Sequence, residues 1–446
     1  MIRLNIYDKL KKIFNHQLVK RYLNNSLWML LARAGWIITA LTVGVMVARK
    51  LGPENYGIVN YVVAYVVMFS VIVNLGVGNL ITRNLILAPE RTPRIMGNYL
   101  VFKIITTILM YVCFYFSIQY IDDREIRKYC IIMSLGYIIF PLTSVNEYFR
   151  AFVKNQYIAF SELLTCICYN TIRLVAVLCS ASLIYFIYAE SIQLLLVSIF
   201  FILFFILKCD NPLKWNFSLH EVFSLFKPAL PLSIVVILGI LYTRIDTLML
   251  KYYQNYEEIS YYSIATRFTE NLNLIITSAC AYVFASAIIS GFKLGHTEYK
   301  KQLHRYYFLL ISVAIILIIP SLLFGHSVIK FLYDKPFLPS VNVFYICVFT
   351  LIFSAVNTAF TCHAINENRL KTIFFISFFG ILINIFINLY TIPRYAAIGA
   401  AISSVFAMPL SFLLVLSQTK KGRSDLLFIL YCFSHLPSFK FNEEIE

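Results

Sequence analysis

Apolar runs of membrane length recur along almost the whole chain, and this one feature limits what it can fold into. A bilayer core is about 30 Å thick and is crossed by roughly 20 helical residues. Runs of that size are centred at residues 26–48, 58–81, 98–120, 129–149, 157–181, 188–207, 229–250, 260–289, 306–325, 341–364, 372–391 and 396–417. Lipid cannot satisfy an open backbone, so repeated apolar runs of this length predict helices rather than irregular chain. The expected fold is an all-α integral membrane protein with about twelve transmembrane helices. Only 13% of the 446 residues are charged and 60% are hydrophobic, a balance foreign to soluble domains, which carry about 25% charge. The apolar stretch near residues 426–436 is too short to cross and reads as interfacial.

Basic residues set the orientation, because Lys and Arg concentrate on the cytoplasmic side. With the N-terminus inside, inner segments hold 24 of the 38 basic residues, nine fall outside, and five lie within spans. Both termini are therefore expected in the cytoplasm, with Lys154 and Lys293 inside and Asp123 outside. The same bias accounts for most of the net charge of +16, which forms no basic stripe of the kind that binds nucleic acid. The first apolar run is too long for a signal-peptide core and reads as a retained helix. Ten cysteines show no CxxC or metal-ligand spacing, and Cys113, Cys166, Cys280 and Cys347 sit within spans as packing residues.

The longest interior break in hydrophobicity, Lys208 to Pro228, divides the spans six and six. This predicts an N-terminal lobe at 1–207, a cytoplasmic linker at 208–228, a C-terminal lobe at 229–417 and a cytoplasmic or interfacial tail at 418–446. Gly52-Pro53, followed by Gly57, is suited to end one helix and begin another. Gly76, Gly78, Gly399 and Ala400 predict close helix packing.

Charge inside the membrane is costly and faces protein or a wet cavity. Arg33, Arg83, Arg173, Arg244 and Arg267 are the candidate cavity cations. Arg83 and Lys103 lie near enough to the interface to snorkel. Glu162, Cys166, Tyr169 and Arg173 form one polar stripe at helical spacing, and Ser263, Arg267, Glu270 and Thr277 or Ser278 form another. Asn384 and Asn388, with Ser377, mark one face of the eleventh span and suit helix-to-helix hydrogen bonds. Arg244 and Asp246 are two residues apart and point about 200° apart on a helix, whereas Arg267 and Glu270 can meet on one face. Asp246, Glu270, Glu147 and Glu162 are the acids available for ion coupling or for balancing arginine charge. No residues are singled out for catalysis or for holding a metal.

In register with the twelve spans, RKLGPENYG (Arg49 to Gly57), LGVGNLITR (Leu75 to Arg83), Arg244-Ile-Asp246, YSIATR (Tyr262 to Arg267) and IGAAISS (Ile398 to Ser404) resemble the polysaccharide (O-antigen, Wzx-type) flippases. That family belongs to the multidrug/oligosaccharidyl-lipid/polysaccharide (MOP) exporter superfamily. The resemblance implies two six-helix lobes around a central cavity, as in MATE transporters, and a place in the bacterial inner membrane. It implies transport of an undecaprenyl-diphosphate-linked oligosaccharide, as in lipopolysaccharide synthesis, from the inner to the outer leaflet by alternating access. No cofactor and no covalent chemistry are implied. Coupling to H+ or Na+, and association with polysaccharide polymerase and chain-length machinery, stay open. Two other readings remain: a cation or drug antiporter of the same superfamily, which would favour an acidic and aromatic cavity, and a membrane polysaccharide polymerase or glycosyltransferase, which would need larger external segments.

Overall fold

The computed structural model describes residues 17–208, 215–294 and 296–434. The basic N-terminal residues 1–16, residues 209–214 of the predicted linker, the tail beyond Ser434, and the side chains of Ser278, Cys280 and Lys293 lie outside that description. Fifteen α-helices run through the described residues. They are α1 (Gln17–Leu41), α2 (Val43–Asn74), α3 (Gly78–Leu87), α4 (Thr92–Ile118), α5 (Arg124–Ser134), α6 (Val145–Ala151), α7 (Asn155–Leu178), α8 (Leu183–Lys208), α9 (Leu219–Tyr253), α10 (Tyr256–Leu294), α11 (His296–Tyr333), α12 (Pro339–Cys347), α13 (Thr350–Asn366), α14 (Leu370–Leu416) and α15 (Lys420–Ser434).

Every predicted span coincides with a helix or a broken pair. Seven helical stretches among the described residues are long and apolar enough to cross a membrane, or eight with the pair Arg124–Tyr137 and Phe140–Ala151, which bends by 45°. Two of the seven are long enough for two crossings each, being 60 residues at Trp28–Leu87 and 47 at Leu370–Leu416. The remaining two predicted spans are α9 and α10, which carry the charges of Arg244, Asp246, Arg267 and Glu270.

The breaks have local causes. Gly52 adopts φ 71° within α2, the left-handed region that only glycine enters without cost, and Pro53 then restarts the helix. Leu75 and Gly76, with φ 35° and 61°, end α2 and turn the chain into α3. The long α14 breaks at Ala396, at φ 50°. Its second half begins with Ala397 N donating to Glu258 Oε2 at 3.0 Å, so a carboxylate sits where the helix dipole favours one. Gly399 packs there, since a Cβ would lie 2.4 Å from the Thr391 carbonyl oxygen.

The chain groups into two compact units, one of residues Met1–Lys50 and Tyr65–Ile237, the other of Leu51–Ala64 and Leu238–Glu446. Two hydrophobic cores lie among the described residues of the first unit. Val77, Ile81, Leu85, Met96, Tyr99, Phe102 and Val222 form one, and Val145, Phe149, Ile158, Phe201 and Phe205 form the other. The chain approaching α9 is clasped onto the start of α4. Arg94 pairs with Glu221 through Nε at 2.8 Å and Nη2 at 2.7 Å, and Asn98 bonds both Glu221 and the Ser218 amide. Gly97 permits this approach, since a Cβ would stand 2.2 Å from the Asn216 carbonyl oxygen. The hydrogen bonds from Arg94 and Asn98 hold the exposed Glu221 carboxyl below the usual carboxylate range.

In the second unit, Gly57 packs against the backbone of Tyr256, where a Cβ would overlap the carbonyl oxygen at 1.8 Å. At the other end of that unit α15 is tied down by a charged cluster. Asp425 pairs with Arg369 and approaches His363 Nε2 at 3.5 Å, while Glu367 takes Lys421 at 2.9 Å. Burial pushes the Asp425 carboxyl up, but the hydrogen bonds from His363 and Arg369, with their charges, outweigh it and hold the group below its usual range.

Candidate functional site

A cavity of about 340 Å³ lies within the second unit, built mainly from α9 and α10. The RID sequence puts Arg244 and Asp246 on nearly opposed directions of α9, and their environments differ accordingly. Asp246 is only 2% exposed. Its Oδ2 accepts from Tyr262 Oη at 2.5 Å and from Ser404 Oγ at 2.8 Å, and its Oδ1 from Asn388 Nδ2 at 2.7 Å. The network continues through Asn388 to Asn384 and Ser403. Buried polar groups in a membrane protein need such partners, and here α9, α10 and α14 supply them to one another. Arg244, by contrast, lines the cavity, and its buried Nε has no hydrogen-bond partner.

Helical spacing on α10 places Tyr262, Ser263, Thr266, Arg267, Glu270 and Asn273 along the cavity wall. Arg267 Nη2 donates to Asn60 Oδ1 at 2.9 Å, and its guanidinium lies 5.5 Å from the Tyr56 ring centre. Asn60 is fixed in turn by donating to the Tyr56 carbonyl at 2.7 Å. Glu270 stands exposed one turn further along. Thr350, Ser354 and Ser404 add hydroxyls to the lining. The wall combines hydroxyls, amides and apolar groups with two guanidinium groups and the carboxylates of Asp246 and Glu270, so it offers cationic donors and hydroxyl partners to an anion that also carries hydroxyls. Among the described residues no group of His, Cys, Asp or Glu is placed to hold a metal ion.

The other predicted residues belong to the first unit. Arg173 is 7% exposed and sits 5.0 Å from the Tyr169 ring, whose hydroxyl donates to Glu190 at 2.5 Å. The stripe on α7 therefore faces protein, with Cys166 meeting Thr39 Oγ1 at 3.4 Å and Tyr169 beside Trp36. Arg33 and Arg150 are close enough to Glu162 for their charges to act on it. Arg83 is exposed on α3. Glu147 is buried, accepts from Thr82 Oγ1 at 2.9 Å, and lies against Gly78 at the start of α3. Lys103, read from sequence as an interfacial snorkeller, is instead 4% exposed and bonded to Thr143.

The structure thus brings together Arg244, Asp246, Arg267 and Glu270 in the second unit, while Arg33, Arg173, Glu162, Glu147 and Arg83 belong to the first. Asn60 escaped the sequence reading because nothing local marks it, and Tyr56 stood within the quoted RKLGPENYG motif but without a role. Asn60 is joined to Arg267 across 207 positions. Tyr262 stood within the quoted YSIATR motif but without a role. Asn388 stood on a recognised polar face whose partner was not evident.

A family described as polysaccharide biosynthesis protein matches residues 9–285, and the MatE family matches residues 231–390. Among solved structures, the lipid II flippase MurJ in an inward closed conformation is similar at 17% identity, covering 95% of this chain and 94% of that one with a TM-score of 0.72. A MOP superfamily transporter from Pyrococcus furiosus aligns at 13% identity over 92% of this chain and 96% of that one, with a TM-score of 0.64. An inward-facing multidrug resistance MATE transporter gives 13% identity, 88% and 95% coverage, and the same TM-score of 0.64. At these identities the likeness is one of fold. No curated protein matches the chain significantly. With a family match over residues 9–285, more than half its length, the chain belongs to the polysaccharide biosynthesis protein family, and its multi-pass membrane fold is that of the MOP superfamily structures.

Proposed function

We propose that the protein is a flippase for an undecaprenyl-diphosphate-linked oligosaccharide, an O-antigen or related repeat unit. It moves this substrate from the cytoplasmic to the outer leaflet of the bacterial inner membrane by alternating access between the lobes at 1–207 and 229–417, with both termini in the cytoplasm. The observation that carries this reading is the pair Arg244 and Arg267 on a cavity whose lining also carries hydroxyls and amides, with Asp246 and Glu270 as its carboxylates. A diphosphate has to shed water to cross the bilayer, and guanidinium groups replace that water with charge-assisted hydrogen bonds. Hydroxyl and amide groups suit a glycan, which offers both donors and acceptors.

The alternative of a cationic drug substrate fits less well. A cation would be repelled by two arginines, and Asp246, the buried acid, already accepts three hydrogen bonds. Coupling to H+ or Na+ would rest on Asp246 and Glu270, the two carboxylates of the cavity, and both also balance arginine charge. Arg33, Arg83 and Arg173 are assigned a supporting positive potential in the first lobe, with Glu147 and Glu162 as their counter-charges. Association with polymerase and chain-length machinery follows from this place in the pathway.

The test is complementation of a flippase-deficient strain, read as surface polysaccharide normalised to membrane protein level. Arg244→Gln and Arg267→Gln should each lower it, and unchanged polysaccharide in both would overturn the assignment. Asp246→Asn and Glu270→Gln, assayed with and without a proton or sodium gradient in vesicles, separate coupling from charge balance.

A further inference from the structure

The first unit contains a second polar cavity, of about 380 Å³, that the transport reading does not use. It lies where α2 ends and α3 begins, against α4, α6 and α8. Its charged residues are two cations, Lys103 and Arg150, and one carboxylate, Glu147.

Lys103 is the unusual member. An ammonium group in a membrane protein is retained where a counter-charge or water compensates it. Its Nζ donates to Thr143 Oγ1 at 3.0 Å, leaving further N–H groups to place. The rings of Tyr99 and Phe140 lie 5.3 and 5.5 Å from it. Thr143 cannot supply charge, and its own proton goes to the Phe140 carbonyl.

Glu147 is committed elsewhere. One oxygen accepts from Thr82 at 2.9 Å and lies 3.7 Å from Arg150 Nη1, and the other lies against Gly78 in the first turn of α3. Among the described residues no carboxylate comes within ion-pair distance of Lys103. The cavity therefore holds two cations against one carboxylate, a formal excess of one positive charge. Asn74, Asn79 and Asn146 add amides to its wall, and Asn146 Oδ1 is buried there with no hydrogen-bond partner. A single small ion would leave most of a space this size empty, and that amide oxygen calls for a ligand donor as well as an anion.

We propose that this cavity binds a phosphate-bearing group, with Lys103 as its cation and Asn146 as a polar contact. The shared chemistry is a phosphate ester or diphosphate oxygen in contact with the ammonium. Its source is either a polyprenyl diphosphate or the headgroup of an anionic phospholipid. The site lies wholly within the first unit and does not depend on the second unit's arginines.

The experiment uses the full chain purified into phosphatidylcholine nanodiscs, with binding followed by native mass spectrometry and by thermal shift. The probes are undecaprenyl diphosphate, phosphatidylglycerol and inorganic diphosphate. The proteins are the wild type, Lys103→Met, Lys103→Arg, Asn146→Asp and Arg267→Gln. At least one probe should bind the wild type and raise its melting temperature. That binding should weaken by about tenfold or more in Lys103→Met and Asn146→Asp, as expected when one charge-assisted bond is removed or neutralised. It should persist in Lys103→Arg.

Without ligand, Lys103→Met should melt no lower than the wild type, because it removes a buried charge, so a loss of binding there is not a loss of fold. Preference for undecaprenyl diphosphate assigns the site to substrate, preference for phosphatidylglycerol to a membrane lipid, and binding of inorganic diphosphate alone to a soluble phosphate. Absence of binding in the wild type, or binding unchanged in both Lys103→Met and Asn146→Asp, overturns the proposal. Loss of binding in Arg267→Gln, with Lys103→Met unaffected, would move the phosphate site to the second unit and leave the transport reading standing.

Discussion

Replacing Asp246 separates the structural part of the second unit's cavity from its binding part. Three donors converge on this carboxylate, from Tyr262, Asn388 and Ser404. Asp246→Asn keeps one acceptor oxygen. If that oxygen serves Tyr262 and Ser404, the new amide group faces Asn388 Nδ2, so one bond is lost or Asn388 must rotate. Asp246→Leu removes both oxygens, but the donors are not all stranded. Ser404 still reaches the Ala400 carbonyl at 2.9 Å, Tyr262 lies 3.0 Å from Ser404, and Asn388 still donates to Asn384 at 3.1 Å. Hydrogen bonds between membrane helices average about 0.6 kcal/mol in double-mutant cycles and reach about 1.7. One lost bond thus costs about 0.6–1 kcal/mol in the Asn variant, and three cost about 2–4 kcal/mol in the Leu variant. For a unit of roughly 200 residues each kcal/mol lowers Tm by about 2–4 °C, so the falls should be about 1–4 °C and about 4–16 °C. The assay is thermal melting of purified protein in one detergent, with Asn388→Leu as the second arm of a cycle. An Asp246→Leu protein as stable as the wild type, or Asn388→Leu adding its full effect on top of Asp246→Leu, would refute the network.

Four further outcomes follow from the same geometry. Gly57→Val should prevent the close approach to Tyr256 and strongly reduce folded protein in the membrane, measured by fluorescence size-exclusion, whereas Gly239→Ala, where a Cβ meets nothing within 4 Å, should not. Gly97→Ala should loosen the clasp of Asn98 and Glu221 on the approach to α9, read as faster proteolysis near residue 216, with α4 itself intact. Asp425 has a depressed folded pKa, so its contribution is complete above the ordinary Asp range near 3.9 and is lost as pH falls through the folded value. Melting between pH 7 and 3 should show this loss only at the acid end, and Asp425→Asn should remove that component. Reporter fusions after Lys154 and Lys293 should report cytoplasm, and one after Asp123 the outside; an external signal at either lysine would break the topology.

The sequence made the spans and the break at Gly52 legible because both are local properties, set by composition over about 20 residues and by one backbone conformation. Helical spacing was enough to place Arg267 and Glu270 on one wall, and to exclude a local pair between Arg244 and Asp246. What it did not reveal were partners distant along the chain. Asp246 meets Asn388 across 142 positions, and Arg267 meets Asn60 across 207. A polar face says that a residue needs company without saying whose. Lys103 shows the limit of depth as a guide, since a lysine near the end of a span has the reach to snorkel, yet this one is folded inward beneath Tyr99 and Phe140.

The most direct test of the central claim is flipping of an undecaprenyl-diphosphate-linked glycan by Arg267 variants in proteoliposomes, normalised to inserted protein. If the guanidinium meets the diphosphate, Arg267→Lys keeps the charge but loses the fork, Arg267→Gln loses the charge, and Arg267→Glu repels the substrate. The account predicts rates falling in that order, with no rescue when Arg267→Glu is combined with Glu270→Arg. Full activity in Arg267→Gln, or recovery by the exchanged pair, would show that Arg267 serves a structural ion pair and not the substrate.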